Sequence, residues 1–238
     1  MPPTAREVRP NGFPIIRIIN LDRREDRWRI VSDQLGLLSQ VFCKRMSAVD
    51  GQSLVNPDTR AVSVGNVGCW LSHQHCFSAQ NEAGENWNLV LEDDVKFRVN
   101  VSPAILAELV ALCEEGEIDV LQLGWIENLY KPFSARAILD FVLAVRAGRL
   151  RKVGATQRRS IVHGEFRAGS HAYLISLNGA RKLLGSNIPV MLAADAYLGA
   201  LAQNHYEDSG LRFARLTKSL AGQQSRDFTK APIDSDIN

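Results

Sequence analysis

The stretch Trp87-Asn88-Leu89-Val90-Leu91-Glu92-Asp93-Asp94-Val95-Lys96-Phe97 constrains everything around it, because an apolar run halts there at three consecutive carboxylates. A short Leu/Val-rich run, with Gly84 before it and a proline-bearing segment after it, reads as a buried central strand. The acids then fall at its carboxyl end, the edge that faces the ligand crevice in open α/β sheets. Carboxylates crowded there repel one another unless a cation or a proton relieves them. An all-oxygen donor set suits Mg²⁺ or Mn²⁺, which keep positions open for the phosphate oxygens of a substrate. The chemistry indicated is metal-assisted work on a diphosphate, and the plainer alternative is a solvated acidic turn.

A chain of 238 residues is long enough for one large α/β domain with a sizeable core. We read it as a single domain over 1–238, with a loose lead-in at 1–12, a variable insertion at 125–166 and a polar tail at 217–238. Hydrophobic residues at 45% and charged residues at 23% exclude disordered and fibrous classes. Cys43, Cys69, Cys76 and Cys113 form no C-x-x-C pair, and the N-terminal stretch lacks the apolar centre of a signal peptide, so reduced thiols and a cytoplasmic location are expected. No apolar run approaches the roughly 18 residues of a membrane span, which leaves peripheral contact as the expected mode of membrane association.

Phe13 to Asn20 is β-branched and apolar, hence a strand, and Asp22 is placed to cap a helix carrying Trp28, Val31, Leu35 and Leu38 at helical spacing. The polar set Asn20, Asp22, Arg23, Arg24 and Arg27 suits either a nucleotide, through arginine-phosphate pairing, or a capped helix with a solvated basic face. Val41 to Arg45 reads as a second strand closed by the turn Ala48-Val49-Asp50-Gly51. From Val67 a helix carries Cys69, Trp70, His73, Cys76, Phe77 and Gln80 and ends at Gly84. Cys69, His73 and Cys76 share a face, but no second pair completes a zinc tetrahedron, so a buried face with a hydrogen-bonded histidine is the reading preferred.

Pro103 opens a helix that ends near Gly116, and Asp119 to Gly124 is a further buried strand. Past Trp125, Leu139, Val142, Leu143 and Val145 suggest a short amphipathic helix. The basic run Arg146, Arg149, Arg151, Lys152, Arg158 and Arg159 follows, either a solvated loop or a segment that meets an anionic acceptor or lipid surface. Arg167 to Ser176 turns at a glycine into a strand, and Ser176 caps a helix with Ala180, Leu183 and Leu184. Pro189 ends that helix. Met191 to Leu198 opens another with Asp195 in its first turn, where the helix dipole favours the ionised form, as a base or a plain cap requires. Leu216 to Arg226 reads as loop and tail.

Taken in order, several of these stretches resemble glycosyltransferase family 25, the lipooligosaccharide galactosyltransferases and their collagen galactosyltransferase relatives. The matching residues are Ile18 to Arg27, Ala48 to Gly51, Gly68 to His73, Leu89 to Val95, Ala172 to Ser176 with Gly179-Ala180, and Asp195. The resemblance implies a GT-A-type fold, a Rossmann-like open sheet flanked by helices. It implies inverting transfer of a hexose, galactose from UDP-galactose, to a saccharide acceptor such as lipopolysaccharide or lipooligosaccharide core, a β-galactosyltransferase activity at the cytoplasmic face of the bacterial membrane.

Glu92-Asp93-Asp94 corresponds to the family's metal motif, holding Mn²⁺ or Mg²⁺ through Asp94 with Glu92 or Asp93. The donor side of the crevice falls on Asn20, Leu21, Arg24, Arg27, Ser72 and Asp93. Inversion requires a carboxylate to take the acceptor proton from the face opposite the leaving group. Asp195 is the expected base, with His73 or His171 in reserve, and Ser72 and His73 are alternatively supports that orient the site. Two other functions share these features: a metal-dependent nucleotidyltransferase that releases pyrophosphate, and a non-catalytic sugar-nucleotide-binding protein of the same fold.

Overall fold

A computed structural model of the protein describes residues 13–126, 150–152, 160–203 and 209–223. The described residues form a mixed eight-stranded sheet with helices on both faces. Strands β1 (Ile15–Asn20), β2 (Cys43–Ser47) and β3 (Trp87–Glu92) lie parallel, β1 in the middle. Strand β8 (Ala172–Ser176) runs antiparallel between β3 and β5 (Val120–Gln122), and β9 (Phe213–Leu216) is parallel to β5. Strands β7 (Ser160–His163) and β6 (Leu150–Lys152) complete the order β2-β1-β3-β8-β5-β9-β7-β6. A separate ribbon pairs β4 (Val95–Phe97) with β10 (Ala221–Gln223).

The expected open α/β sheet is present, and β3 shows why its sequence does not alternate. Leu89 and Leu91 enter one core cluster with Ile16, Ile18, Leu121 and Leu174, while Val90 enters the other with Ile19, Val120, Tyr173 and Ile175. Both faces of the strand are covered, so each residue is apolar. The first cluster packs under α1 (Glu25–Leu35) and α4 (Pro103–Glu115). The second packs under α3 (Val64–Ala83), α5 (Leu177–Leu183) and α6 (Ala194–Gln203). Among the described residues no helix is long and apolar enough to cross a membrane.

Three helices start behind a capping serine, α3 at Val64 rather than at the expected Val67. Ser63, Ser102 and Ser176 accept from the backbone N–H groups of Asn66, Ile105 and Gly179, and Pro103 occupies the first turn of α4. Gly84 ends α3 at φ 61°, the left-handed conformation that glycine adopts without a Cβ clash.

Other expectations need correction. Asp22 does not cap α1: its carboxylate accepts from the Ser47 hydroxyl at 2.6 Å, because β2 runs alongside and brings that group closer. The helix expected through Leu38 breaks at Gly36, φ 53°, into α1 and α2 (Leu37–Val41). The second strand begins at Cys43 rather than Val41. The tail expected from 217 contains β10, whose backbone pairs with β4 from Gln223↔Val95 to Ala221↔Phe97 and satisfies polar groups along β4. The stretch 125–166 contributes β6 and β7 to the sheet. The amphipathic segment 139–145 and most of the basic run lie outside the described residues.

The turn Ala48 to Gly51 and the start of α3 touch backbone to backbone. A Cβ on Gly68 would lie 2.5 Å from the Val49 carbonyl oxygen and 2.7 Å from the Gly51 nitrogen. One on Gly51 would overlap the Val64 carbonyl. Gly68→Ala is therefore expected to lower stability by about 1–3 kcal/mol, the usual cost of overpacking, read as a lower thermal midpoint. An unchanged midpoint would show that the turn can move away.

Candidate active site

The carboxyl ends of β1, β2 and β3 and the first turns of α3 enclose a cleft. Its lining includes Leu21, Arg27, Asp50, Gln52, Cys69, Ser72, Glu92, Asp93 and Asp94. The three acids thus reach one cleft, but each is turned to a different partner. Val90 and Glu92 share a face of β3, so the period of the strand sends Glu92 toward α3. There Glu92 accepts from the Ser170 hydroxyl at 2.5 Å and lies 3.5 Å from His73 Nε2. Burial works upward on its pKa, yet the His73 ring and the Ser170 hydroxyl together hold it below the usual carboxylate value.

Asp93 turns to β1 and α1. Asn20 Nδ2 donates to it at 2.6 Å and Arg27 Nη1 at 3.3 Å. Burial raises its pKa against the pull of those two donors. Asp94 accepts from Gln223 Nε2 at 2.7 Å, so β10 reaches back to the acid triplet. Burial, followed by the charge on Glu92, pushes Asp94 up to about 7. Buried oxygen donors with raised pKa values beside an open cleft fit a hard divalent cation, which would favour their ionised forms. Asp93 and Asp94 have these raised values, while Glu92, which lines the same cleft, is turned toward α3.

Among the described residues, the group of three or more His, Cys, Asp or Glu whose candidate ligand atoms all lie within 4.8 Å of one another is Cys69, His73 and Glu92, not the acid triplet. The buried helix face with a hydrogen-bonded histidine preferred from sequence is present, and Cys76 is not part of this group. Cys76 is fully buried in the apolar cluster under α3, and Glu92, from the neighbouring strand, stands where a third ligand would.

The expected donor residues separate into three sets. Leu21, Arg27, Ser72 and Asp93 line the cleft. Asn20 lies behind it, 1% exposed, bonded to Asp93 and to the Arg24 carbonyl, so its role is to hold Asp93. Arg24 turns outward into a two-pronged pair with Asp26, at 2.9 and 2.8 Å, and is not among the lining residues. Ser72 Oγ donates to the Gly68 carbonyl and accepts from the Val49 N–H, bracing the turn after β2 against α3.

His73 cannot serve as a base that touches substrate. It is sealed from solvent, and its Nδ1 is 2.8 Å from the Tyr173 hydroxyl. His171 is equally sealed, and burial holds its pKa below the ordinary histidine value. Asp195 begins α6 as expected. Its Oδ2 accepts from the Gly169 N–H at 2.8 Å, in the turn that leads through His171 into β8, and Oδ1 accepts from Ala196 N–H. Its charge, with that of Glu92 and Asp94, reinforces burial in raising the Cys69 thiol well above its ordinary value.

Sequence reasoning assigned no site role to Asp50, Gln52, Ser170 or Gln223. Asp50 lines the cleft and pairs with Arg23, and the available signal was the Ala48 to Gly51 turn itself. Gln223 carried no signal, since its place depends on the pairing of β10 with β4.

A parallel half-sheet with a polar cleft at its carboxyl edge and acids at the end of β3 defines a GT-A-like, Rossmann-type glycosyltransferase architecture. The chain belongs to glycosyltransferase family 25 (LPS biosynthesis protein), whose model matches residues 13–198. It is 26% identical over 216 residues to procollagen galactosyltransferase 2 of Homo sapiens, an alignment covering 82% of this chain and 31% of the human one. It is 27% identical over 217 residues to procollagen galactosyltransferase 1 of Danio rerio, covering 82% and 32%. A third relative, 28% identical over 217 residues and covered to the same 82% and 32%, is "Probable inactive glycosyltransferase 25 family member 3" of Bos taurus. The chain spans about a third of the length of these relatives.

Proposed function

We propose that this protein transfers a hexose, galactose from UDP-galactose, to the hydroxyl of a saccharide acceptor with inversion at the anomeric carbon. What supports the reading most is the placement of Asp93 and Asp94 at the cleft end of β3, in a chain of this family, with Arg27 beside them. The nucleoside diphosphate occupies the cleft between the carboxyl end of β1 and the first turns of α3. Arg27 orients the donor from the floor, fixed in place by Asp93, and Asn20 fixes Asp93 in turn. A divalent ion, Mn²⁺ or Mg²⁺, held by Asp93 and Asp94, supplies Lewis-acid stabilisation of the charge that grows on the leaving diphosphate. Asp195 takes the proton of the attacking hydroxyl. Ser72 braces the α3 wall, and the buried His73 acts through Glu92, not on substrate.

The acceptor is a saccharide of lipopolysaccharide or lipooligosaccharide core, presented at the cytoplasmic membrane face. The names of the vertebrate relatives make a collagen-type hydroxyl the comparison acceptor. The deciding experiment is a donor and acceptor screen with Mn²⁺ or Mg²⁺ added, scored by the product released. Nucleoside diphosphate release that depends on acceptor supports transfer. Pyrophosphate release would replace the proposal with nucleotidyl transfer, and donor binding without turnover would place the chain with a non-catalytic relative.

Arg27→Ala carries a separate expectation. Loss of a hydrogen-bonding charge at the donor should weaken nucleoside diphosphate binding by about 1.5–3 kcal/mol, measured by calorimetry. Unchanged binding would confine Arg27 to its pair with Asp93.

A further inference from the structure

We propose that Cys69, His73 and Glu92 form a second metal site, one that takes a borderline-soft divalent ion such as Zn²⁺, apart from the oxygen donors Asp93 and Asp94. The inference is independent of the transferase reading, since it rests on three side chains and their surroundings.

The geometry is nearly that of a zinc site. Bond lengths of about 2.0–2.3 Å in a tetrahedron separate the ligand atoms by about 3.3–3.6 Å. His73 Nε2 and Glu92 Oε1 are already 3.5 Å apart, too long for a well-formed hydrogen bond but matched to an edge of that tetrahedron. Cys69, one helical turn before His73, offers Sγ within 4.8 Å of both, so closure requires a movement of about 1 Å.

A second observation points to a ligand at this place. His73 is sealed from solvent, and its Nε2 has no hydrogen-bond partner among the described residues. Its other nitrogen lies against the Tyr173 hydroxyl at 2.8 Å. In the metal-bound form the ring proton sits on Nδ1 and is donated to Tyr173, and Nε2, no longer carrying a proton toward Glu92, offers its lone pair to the metal, the arrangement in which a metal-bound histidine is held from behind. Glu92 is steadied in the same way by the Ser170 hydroxyl at 2.5 Å.

Charge and access agree with the donor set. A thiolate and a carboxylate offset the two positive charges of the ion, and neutral imidazole adds none, so the closed site buries no net charge. The thiol proton leaves to solvent as the metal binds. Cys69 and Glu92 line the cleft, which provides the entry path and leaves the fourth position to water. Sulfur and imidazole select this ion over Mg²⁺ and Mn²⁺, which the carboxylate oxygens of Asp93 and Asp94 suit better.

The test titrates the metal-stripped full chain with Co²⁺, then displaces it with Zn²⁺. One equivalent of Co²⁺ should give tetrahedral visible bands and a thiolate-to-cobalt charge-transfer band in the near ultraviolet. Cys69→Ser should abolish the charge-transfer band and weaken Zn²⁺ binding by about a hundredfold or more, since loss of a supporting partner alone costs about 10–100-fold. Cys76→Ser and Asp94→Asn should leave both readouts intact. If Cys69→Ser does not fold, Glu92→Gln, which keeps the Ser170 contact, should weaken Zn²⁺ binding similarly. The proposal is overturned if the folded wild-type chain binds neither ion. It is equally overturned if the charge-transfer band survives in Cys69→Ser, or if Asp94→Asn removes binding while Cys69→Ser does not.

Discussion

Asp94→Asn should lower the turnover number by about a hundredfold or more while leaving the protein at least as stable as the wild type. The two effects come from one source. Asp94 is buried, and burial together with the charge of Glu92 pushes its pKa up to about 7, so its ionised form is costly in the folded chain without a cation. Asparagine removes the charge but keeps the size and an oxygen for the Gln223 amide, which sits at 2.7 Å. The packing of β4 and β10 is thereby retained. Under the proposed mechanism catalysis would lose a donor to the divalent ion that offsets charge on the departing diphosphate, and removal of one such electrostatic contact typically costs about 10²–10³ in rate. Thermal melts beside steady-state kinetics with Mn²⁺ or Mg²⁺ check both halves. Near-normal turnover, or turnover of the wild type that resists chelators, would remove Asp94 from the metal role.

For Asp195→Asn the expected result is a fall in turnover of about 10²–10⁴, with nucleoside diphosphate binding unchanged. The structure makes this a sharper test than the sequence did, because it shows the structural work Asp195 performs. Its carboxylate accepts the Gly169 and Ala196 N–H groups at the start of α6. Asparagine keeps one oxygen for the Gly169 bond and loses the proton-accepting charge. If the residue only caps its helix, Asp195→Ala should cost about 0.5–2 kcal/mol of stability and the folded fraction should stay active. If it is the base, both variants are slow at saturating donor and acceptor, and the asparagine variant melts close to wild type. His73 and His171 no longer compete for the role, since neither is open to solvent.

Glu92 shows what a run of acids leaves open. In the sequence it stands beside Asp93 as one of two alternative partners for Asp94. A strand alternates its side chains, so Glu92 had to share the face of Val90, and Asp93, past the strand end, was free to turn toward α1. The two neighbours therefore answer to different partners, Ser170 and His73 for one, Asn20 and Arg27 for the other. Applying the period of the strand one residue further would have separated them. Cys76 was read correctly: the spacing that puts it on the side of Cys69 and His73 led to a preferred reading of a buried face with a hydrogen-bonded histidine, and the structure has both.

What the sequence determined by itself were the features written in local chemistry. A Leu/Val run without alternation declared β3 buried on both faces, Pro103 and Ser176 set the starts of α4 and α5, and glycine at position 84 set the end of α3. The acids at the end of β3 marked the cleft edge for the same reason, since an abrupt change from apolar to charged needs no partner to be read. Only the tertiary structure decided the features that depend on distant chain. Asp22 was drawn off its helix by Ser47, β10 returned to pair with β4 and brought Gln223 to Asp94, and Tyr173 closed off His73. Each is a hydrogen bond between groups 25 or more residues apart, and such bonds go to whichever partner the sheet order brings within reach.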